Sequence, residues 1–267
     1  MKKITCKLLL LIMTLSILAA LTSCNGKTQA KIVCGVTIYE PMNYKDANGN
    51  WTGFDTEFAQ LVGEKLGMKV EFQEINWDSK YLELDAGTID CIWNGFTANS
   101  SDDGKKRSDY VDFSYGYMIN QQCVVIPASK ADSYKSVDDL VGKTAAVEKG
   151  SAGEAFAKDA VGTSGKLVTA AAQINTFLEV KSGAVDCAIV DILLAKQLVG
   201  TGNYSDLAIA NITLDSEEYA IGFKKGSSLT AKVNQAMVEL FNEGKMKDLA
   251  TKYNLENSLQ LDTETKF

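Results

Sequence analysis

The sequence predicts an α/β protein of two lobes, each a mainly parallel sheet flanked by helices. Three observations point there. From residue 32 the chain reads strand, helix, strand, helix, strand, the order that parallel sheets with right-handed crossovers produce. A similar alternation runs from residue 143 to 191. The segment Gly87-Thr88-Ile89-Asp90-Cys91-Ile92 is echoed by Gly183-Ala184-Val185-Asp186-Cys187-Ala188-Ile189, each behind an amphipathic helix, which suggests two similar lobes facing a common cleft.

The first strand, 32–38, is apolar and β-branched and ends in Tyr39-Glu40-Pro41. An Asn48-Gly49 turn predicts a small hairpin of 42–44 with 51–53. Asp55 is expected to cap a helix that carries Phe58, Leu61, Val62 and Leu66 at helical spacing and stops at Gly67. A second strand covers 70–72. Asp78 is expected to cap the next helix, with Tyr81, Leu82 and Leu84 inward and Gly87 at its end. Strand 89–93 then runs into Asn94-Gly95-Phe96-Thr97 and a polar loop to Arg107. A strand that runs straight into a Gly-containing turn presents backbone groups at its carboxyl end, where open α/β sheets bind small ligands.

Further strands are expected over 121–126 and 143–147, with a short helical turn over 136–140 between them. The second ends at Glu148-Lys149-Gly150-Ser151-Ala152, ahead of a helix over 154–161. Asn175 is expected to cap another helix, and strand 185–190 ends at Asp191. After a strand over 219–223, Ser228 caps a long helix with Leu229, Val233, Met237, Leu240 and Phe241 on one face. Gly244 stops it. Met246, Leu249 and Tyr253 form a last amphipathic turn, and the polar tail after Leu255 is expected to be loose.

The two ends differ in kind. Residues 1–23 read as a signal peptide: Lys2, Lys3 and Lys7 are basic, and 8–21 is apolar apart from Thr14 and Ser16, too short to span a membrane. Leu21-Thr22-Ser23-Cys24 resembles the bacterial lipobox, which implies a lipidated Cys24, a palmitate-type membrane anchor and a polar tether over 24–31. Removing the three lysines takes the formal net charge from −7 to −10. An acidic exported chain is a poor candidate for nucleic acid. The sequence contains no histidine, which removes His general bases, Ser-His triads and most zinc sites; no cofactor or metal is expected. Cys34, Cys91, Cys123 and Cys187 each sit in a strand-like apolar run. An exported location permits disulfides, but the setting predicts four free, buried thiols.

Four motifs, in this order and spacing, resemble the bacterial extracellular solute-binding proteins of family 3, the polar amino-acid receptors of ABC transporters. They are Gly53-Phe54-Asp55; Trp77-Asp78 with Asp90, Asn94-Gly95-Phe96-Thr97, Arg107 and Asp112-Phe113-Ser114; Leu140 with Gly142-Lys143 and Gly150-Ser151; and Asp186 through Asp191 with Glu218-Tyr219. The resemblance covers about 32–254. It implies a type II periplasmic-binding-protein-like fold, with residues 32–118 plus 218–267 as lobe 1, residues 119–217 as lobe 2, and hinges near 119–122 and 213–218. It also implies a monomer outside the cytoplasm that is not an enzyme and that passes an amino acid to a membrane permease by hinge closure.

An α-amino acid carries a carboxylate and an ammonium close together. A planar, always-charged Arg suits the first, and a carboxylate suits the second. The family's carboxylate-binding Arg lies six residues before the Phe of its Phe-Ser motif, a count that Arg107 meets; the link from Thr97 is about five residues longer than the family pattern. Asp191 resembles the ammonium ligand, joined by the Gly95 carbonyl and the Thr97 hydroxyl, with Phe96 between them in the motif. Ser151 and Ala152 sit at a helix N-terminus, a ready anion site. Tyr39 and Trp77 resemble the aromatics that sandwich the side chain, and Glu148 lies where that side chain points. Plainer readings stand beside these: core packing for Tyr39 and Trp77, surface placement for Glu148, a helix cap for Asp191 and a solvated basic loop for Arg107. Two other functions use the same fold, a cyclohexadienyl-type dehydratase and a ligand-sensing receptor ectodomain.

Overall fold

In the computed structural model, which describes residues 30–267, the chain alternates much as its pattern predicts. The signal peptide, Cys24 and nearly all of the tether lie outside the described residues. Strand β1 (Lys31–Val36), helix α1 (Phe54–Leu66), strand β2 (Lys69–Glu74), helix α2 (Lys80–Ala86) and strand β3 (Cys91–Ile92) come first. Strands β4 (Val111–Phe113) and β5 (Gly116–Pro127) follow. Then come β6 (Thr144–Glu148), α3 (Ala152–Val161), β7 (Lys166–Ala170), α4 (Gln173–Ser182), β8 (Cys187–Asp191), α5 (Ile192–Leu198) and β9 (Leu207–Ile209). The chain finishes with β10 (Ser216–Tyr219), β11 (Gly222–Lys224), α6 (Ser228–Asn242), α7 (Lys245–Lys252) and β12 (Leu259–Asp262).

These strands make two sheets. One has the order β2-β1-β3-β11-β4, the other β7-β6-β8-β5-β9, with β10 and β12 pairing on the first half of β5. Each holds a parallel core of three strands, β2-β1-β3 and β7-β6-β8. The rest is antiparallel, so the sheets are mixed rather than mainly parallel. The cause is connectivity: β5 and β11 are not reached through a helical crossover, and a strand that enters from the opposite end of a sheet must run against its neighbours. The two segments expected as hinges lie side by side, with Gln121 opposite Ser216 and Ile119 opposite Glu218.

The internal echo is structural as well as sequential. Asp90 accepts the Val33 N–H at 2.8 Å and returns its own N–H to the Val33 carbonyl. Asp186 does the same to Thr144, at 2.9 Å through its carboxylate. In both lobes, then, an Asp just before the third parallel strand pins the start of the first. Gly67, Gly87 and Gly183 end their helices in the left-handed conformation, as glycine permits. The helix faces bury Phe54, Phe58 and Val62 on α1 and Val233, Met237 and Leu240 on α6. Burying one such side chain stabilises by about 1.5–3 kcal/mol. The four cysteines are free and buried, with Cys34 and Cys91 facing each other on neighbouring strands at 3.6 Å.

Several local expectations give way to tertiary contacts. Asp55 does not cap α1; Gly53 holds that position, and the Asp55 carboxylate turns inward to the Gly95 N–H and the Tyr117 hydroxyl. Asn76, not Asp78, caps the turn that precedes α2, which frees Asp78 to pair with Lys149. Leu82 points outward, 71% exposed. Helix α4 begins two residues before Asn175, because buried Gln173 is held by Asp191. The tail is not loose: β12 pairs with β5, and Leu259 and Leu261 pack on the core. The long loop after Thr97 carries a hairpin, with Ser101–Asp102 paired to Lys105–Lys106.

Candidate functional site

The carboxyl ends of β1, β3, β6 and β8 converge on one pocket. Nine of the ten predicted ligand residues line it: Tyr39, Trp77, Gly95, Thr97 and Arg107 from one side, Glu148, Ser151, Ala152 and Asp191 from the other. The exception is Phe96. It is fully buried behind the pocket, edge-on to Trp77 at 5.5 Å and 4.9 Å from the Arg107 guanidinium, so it supports the wall rather than forming it.

The turn after β3 is fixed from both sides. Asn94 accepts from the Thr37 N–H and hydroxyl and donates to the Thr37 carbonyl and to Asn43. Gly95 has φ +55°, and a Cβ there would lie 2.5 Å from the Tyr39 ring, so the position admits only glycine. Tyr39 in turn shares a 2.6 Å hydrogen bond with the Tyr219 hydroxyl.

Arg107 is buried, which removes the solvated-loop reading, and each of its three nitrogens already has a partner. Nε and Nη2 donate to Asp102 Oδ1 at 3.2 and 3.1 Å, Nη1 to the Thr97 carbonyl at 3.0 Å, and Nη2 also to the Gly150 carbonyl at 3.3 Å. The hairpin in the long loop thus supplies Arg107 with its own carboxylate. Burial raises the Asp102 carboxyl, but Arg107 and Lys80 outweigh it and hold the group below the usual range. Of the five guanidinium N–H groups, one on Nη1 stays uncommitted, and Arg107 is among the residues that line the pocket.

The opposite end is acidic. Asp191 occupies the first position before α5, yet its carboxylate does not cap that helix. It accepts from Asn120 at 2.7 Å, Gln122 at 2.6 Å and Gln173, and burial raises its pKa against those donors. The same two amides bridge to Glu217 at 2.8 and 2.9 Å. Burial, then the charge of Asp191, pushes Glu217 up to about 7. Glu148 is 3% exposed, and its Oε1 has no partner among the described residues. Burial, then the charge of Asp191, pushes it up to about 8. Unpartnered buried carboxylate oxygens are costly, so one that lines a pocket points to a missing donor.

The turn before α3 is partly spent. The Ser151 N–H goes to the Glu148 carbonyl, Ser151 Oγ caps the Glu154 N–H, and Glu154 takes the Gly150 N–H. Helix-terminal binding at this turn therefore rests on Ala152 and the Ser151 hydroxyl proton. The pocket as a whole carries both signs: the Arg107 cation and a helix start, the buried Asp191, and Glu148, whose carboxyl feels Asp191, Lys80 and Arg107.

Sequence reasoning missed Lys80, Asp102, Asn120, Gln122, Gln173 and Glu217. Asn120 and Gln122 carried a signal, since residues two apart on a strand share a face. Lys80 stands four residues before Leu84 on the buried side of α2, and that spacing could have marked it. The described residues hold no cluster of His, Cys, Asp and Glu arranged for a metal ion.

The sequence profile of the bacterial extracellular solute-binding proteins, family 3, matches residues 32–256. The chain belongs to that family. It is 30% identical over 257 residues to the arginine-binding extracellular protein ArtP of Bacillus subtilis, covering 92% of this chain and 97% of that one. An ancestral arginine-binding protein solved with arginine is 32% identical, with a TM-score of 0.76 over 84% of this chain and 98% of that one. The ancestral amino acid-binding protein AncCDT-1, a precursor of cyclohexadienyl dehydratase, is 28% identical, with a TM-score of 0.74 over 84% and 95%. The architecture is accordingly the two-lobed type II periplasmic-binding fold, and the family's place is outside the cytoplasm. No helix among the described residues is long and apolar enough to cross a membrane.

Proposed function

We propose that this protein captures a polar or charged amino acid outside the cytoplasm and delivers it to the permease of an ABC transporter. The observation that carries the reading is one pocket that carries both signs, with Arg107, Asp191 and partnerless Glu148 in the same lining. The ligand carboxylate meets the free Arg107 N–H, the Ser151 hydroxyl and Ala152. Its ammonium meets Asp191, the Gly95 carbonyl and Thr97. Tyr39 and Trp77 flank its side chain, and Glu148 faces it. Relatives named for arginine binding support an amino acid as ligand. A ligand must pair both ends, because a buried charge left alone costs several kcal/mol.

In this reading residues 32–118 plus 218–267 move against residues 119–217 about the paired segments 119–122 and 213–218. The protein acts as a monomer, held to the membrane by acyl chains on Cys24 once residues 1–23 are removed. Release of the protein into the medium by Cys24→Ala tests the anchor.

A thermal-shift screen of the twenty amino acids with cystine and ornithine tests the function. Binding at a hundred times Kd stabilises by about 2.7 kcal/mol, enough for a clear shift. Failure of every amino acid sinks the proposal. One observation favours an enzyme instead: a carboxyl whose pKa burial raises towards neutral, as at Glu148, suits a general acid, and AncCDT-1 is a precursor of cyclohexadienyl dehydratase. Turnover of prephenate or arogenate decides between them, and binding without turnover is expected.

A further inference from the structure

Lys80 is a lysine buried to 2% exposure in the first turn of α2. Its ammonium donates to the Gly150 carbonyl at 2.9 Å and lies 3.3 Å from Asp102 Oδ2. It also sits over the faces of Trp77 and Tyr81, at 5.2 and 4.7 Å. Lysines are almost never fully buried unless paired, so each contact bears on why this one is.

The main acceptor belongs to the other side of the cleft. Lys80 follows β2 of one sheet, whereas Gly150 follows β6 of the other. The Gly150 carbonyl also takes Arg107 Nη2, and beside it Lys149 pairs with Asp78 at 2.8 Å. The approach is close: Gly150 has φ +73°, and a Cβ there would lie 3.2 Å from the Asp78 Cα and 3.4 Å from Lys80 Nζ. Asp102 lies between the two cations and offsets their repulsion, while Tyr81 donates to it at 2.6 Å.

We propose that Lys80 is a positioning residue of the binding site, clasping the Gly150 carbonyl across the cleft and so setting the Ser151–Ala152 turn against Arg107. The clasp rests on the reading of the pocket as an amino-acid site, but it forms from the protein's own groups and needs no ligand. Charge-assisted bonds to an uncharged carbonyl are among the stronger single contacts a closing cleft can make. A ligand binds only the closed fraction, so a residue that raises that fraction raises apparent affinity by the same factor.

The test therefore uses the ligand-free protein and is independent of which amino acid binds. Solution X-ray scattering compares the wild type with Lys80→Met, which keeps the apolar stem over Trp77 and Tyr81 and removes the donor. It also includes Gly150→Ala, whose Cβ would crowd the contact against the Asp78 Cα and Lys80 Nζ, and Lys80→Arg, which retains charge and donors. The radius of gyration should rise in Lys80→Met and in Gly150→Ala and return to the wild-type value in Lys80→Arg. Circular dichroism reports that each variant is folded; if Lys80→Met is not, Gly150→Ala decides by the same reading. A folded Lys80→Met or Gly150→Ala with the wild-type radius overturns the clasp.

Discussion

Arg107 donates through Nε and Nη2 to a single oxygen of Asp102, five residues earlier in the same loop. The carboxylate that this guanidinium meets first is the protein's own. The extra length between Thr97 and Arg107 thus builds a hairpin that returns an acid to the guanidinium, and Arg107 reaches the site despite it. Breaking a buried pair by removing one partner is destabilising by about 3–5 kcal/mol. The Asp102 side chain is 14% exposed, which puts the expected loss for Asp102→Ala at the lower end, about 3 kcal/mol. Urea denaturation measures it, and a loss under about 1 kcal/mol would show that Arg107 and Lys80 are held by the backbone carbonyls alone.

The buried acids predict how stability varies with pH. Burial raises Glu148 to about 8, and Glu217 and Asp55 to about 7. An acid whose pKa is raised on folding binds its proton more tightly in the folded state. Its contribution is complete below the unfolded value and is lost as pH rises through the folded one. The ligand-free protein should therefore melt higher at pH 5.5 than at pH 8, and Glu148→Gln should flatten that slope. A wild-type melting temperature that rises from pH 5.5 to pH 8 would contradict the burial of these groups.

Gly95→Ala places a Cβ 2.5 Å from the Tyr39 ring and 3.0 Å from Tyr219, at a backbone φ of +55°. Strain in such a conformation costs about 1–3 kcal/mol, and overpacking adds a similar amount. Thermal unfolding should show a loss of about 2 kcal/mol or more, and ligand affinity should fall with it. Wild-type stability in this variant would mean that the turn can move away from Tyr39.

The paired roles of Asp90 and Asp186 predict paired costs. Each accepts one strand N–H through its carboxylate, and a hydrogen bond to a charged group contributes about 1.5–3 kcal/mol. Asp90→Ala and Asp186→Ala should each lower stability by about 2 kcal/mol and leave ligand affinity within about twofold, since neither residue lines the pocket. A selective loss of binding in either variant would place that residue in the site.

Much of this was legible because the informative signals are local. The alternation of elements, the glycine stops at Gly67, Gly87 and Gly183, and the strand-end positions of Gly95, Glu148 and Asp191 all follow from periodicity and turn chemistry. Nine of the ten predicted residues reach one pocket for that reason. What stayed hidden depends on contacts between distant segments. Lys80 and Gly150 are 70 residues apart, and nothing near either one announces the other. Asp55 and Asp78 looked like helix caps because their spacing suited capping, and partners 40 and more residues away claimed them instead. Phe96 was placed by its motif neighbours, but its side chain faces the opposite side of the turn from Gly95 and Thr97.

Calorimetric titration of the wild type and of Arg107→Ala with the amino acid selected by the thermal-shift screen measures what Arg107 contributes to binding. Truncating one partner of a buried charge pair costs about 2–5 kcal/mol, a loss of at least about 30-fold in affinity. One-to-one binding by the wild type and that loss in a folded Arg107→Ala are expected. Wild-type affinity in Arg107→Ala, or no heat of binding with any amino acid, would contradict the proposed site.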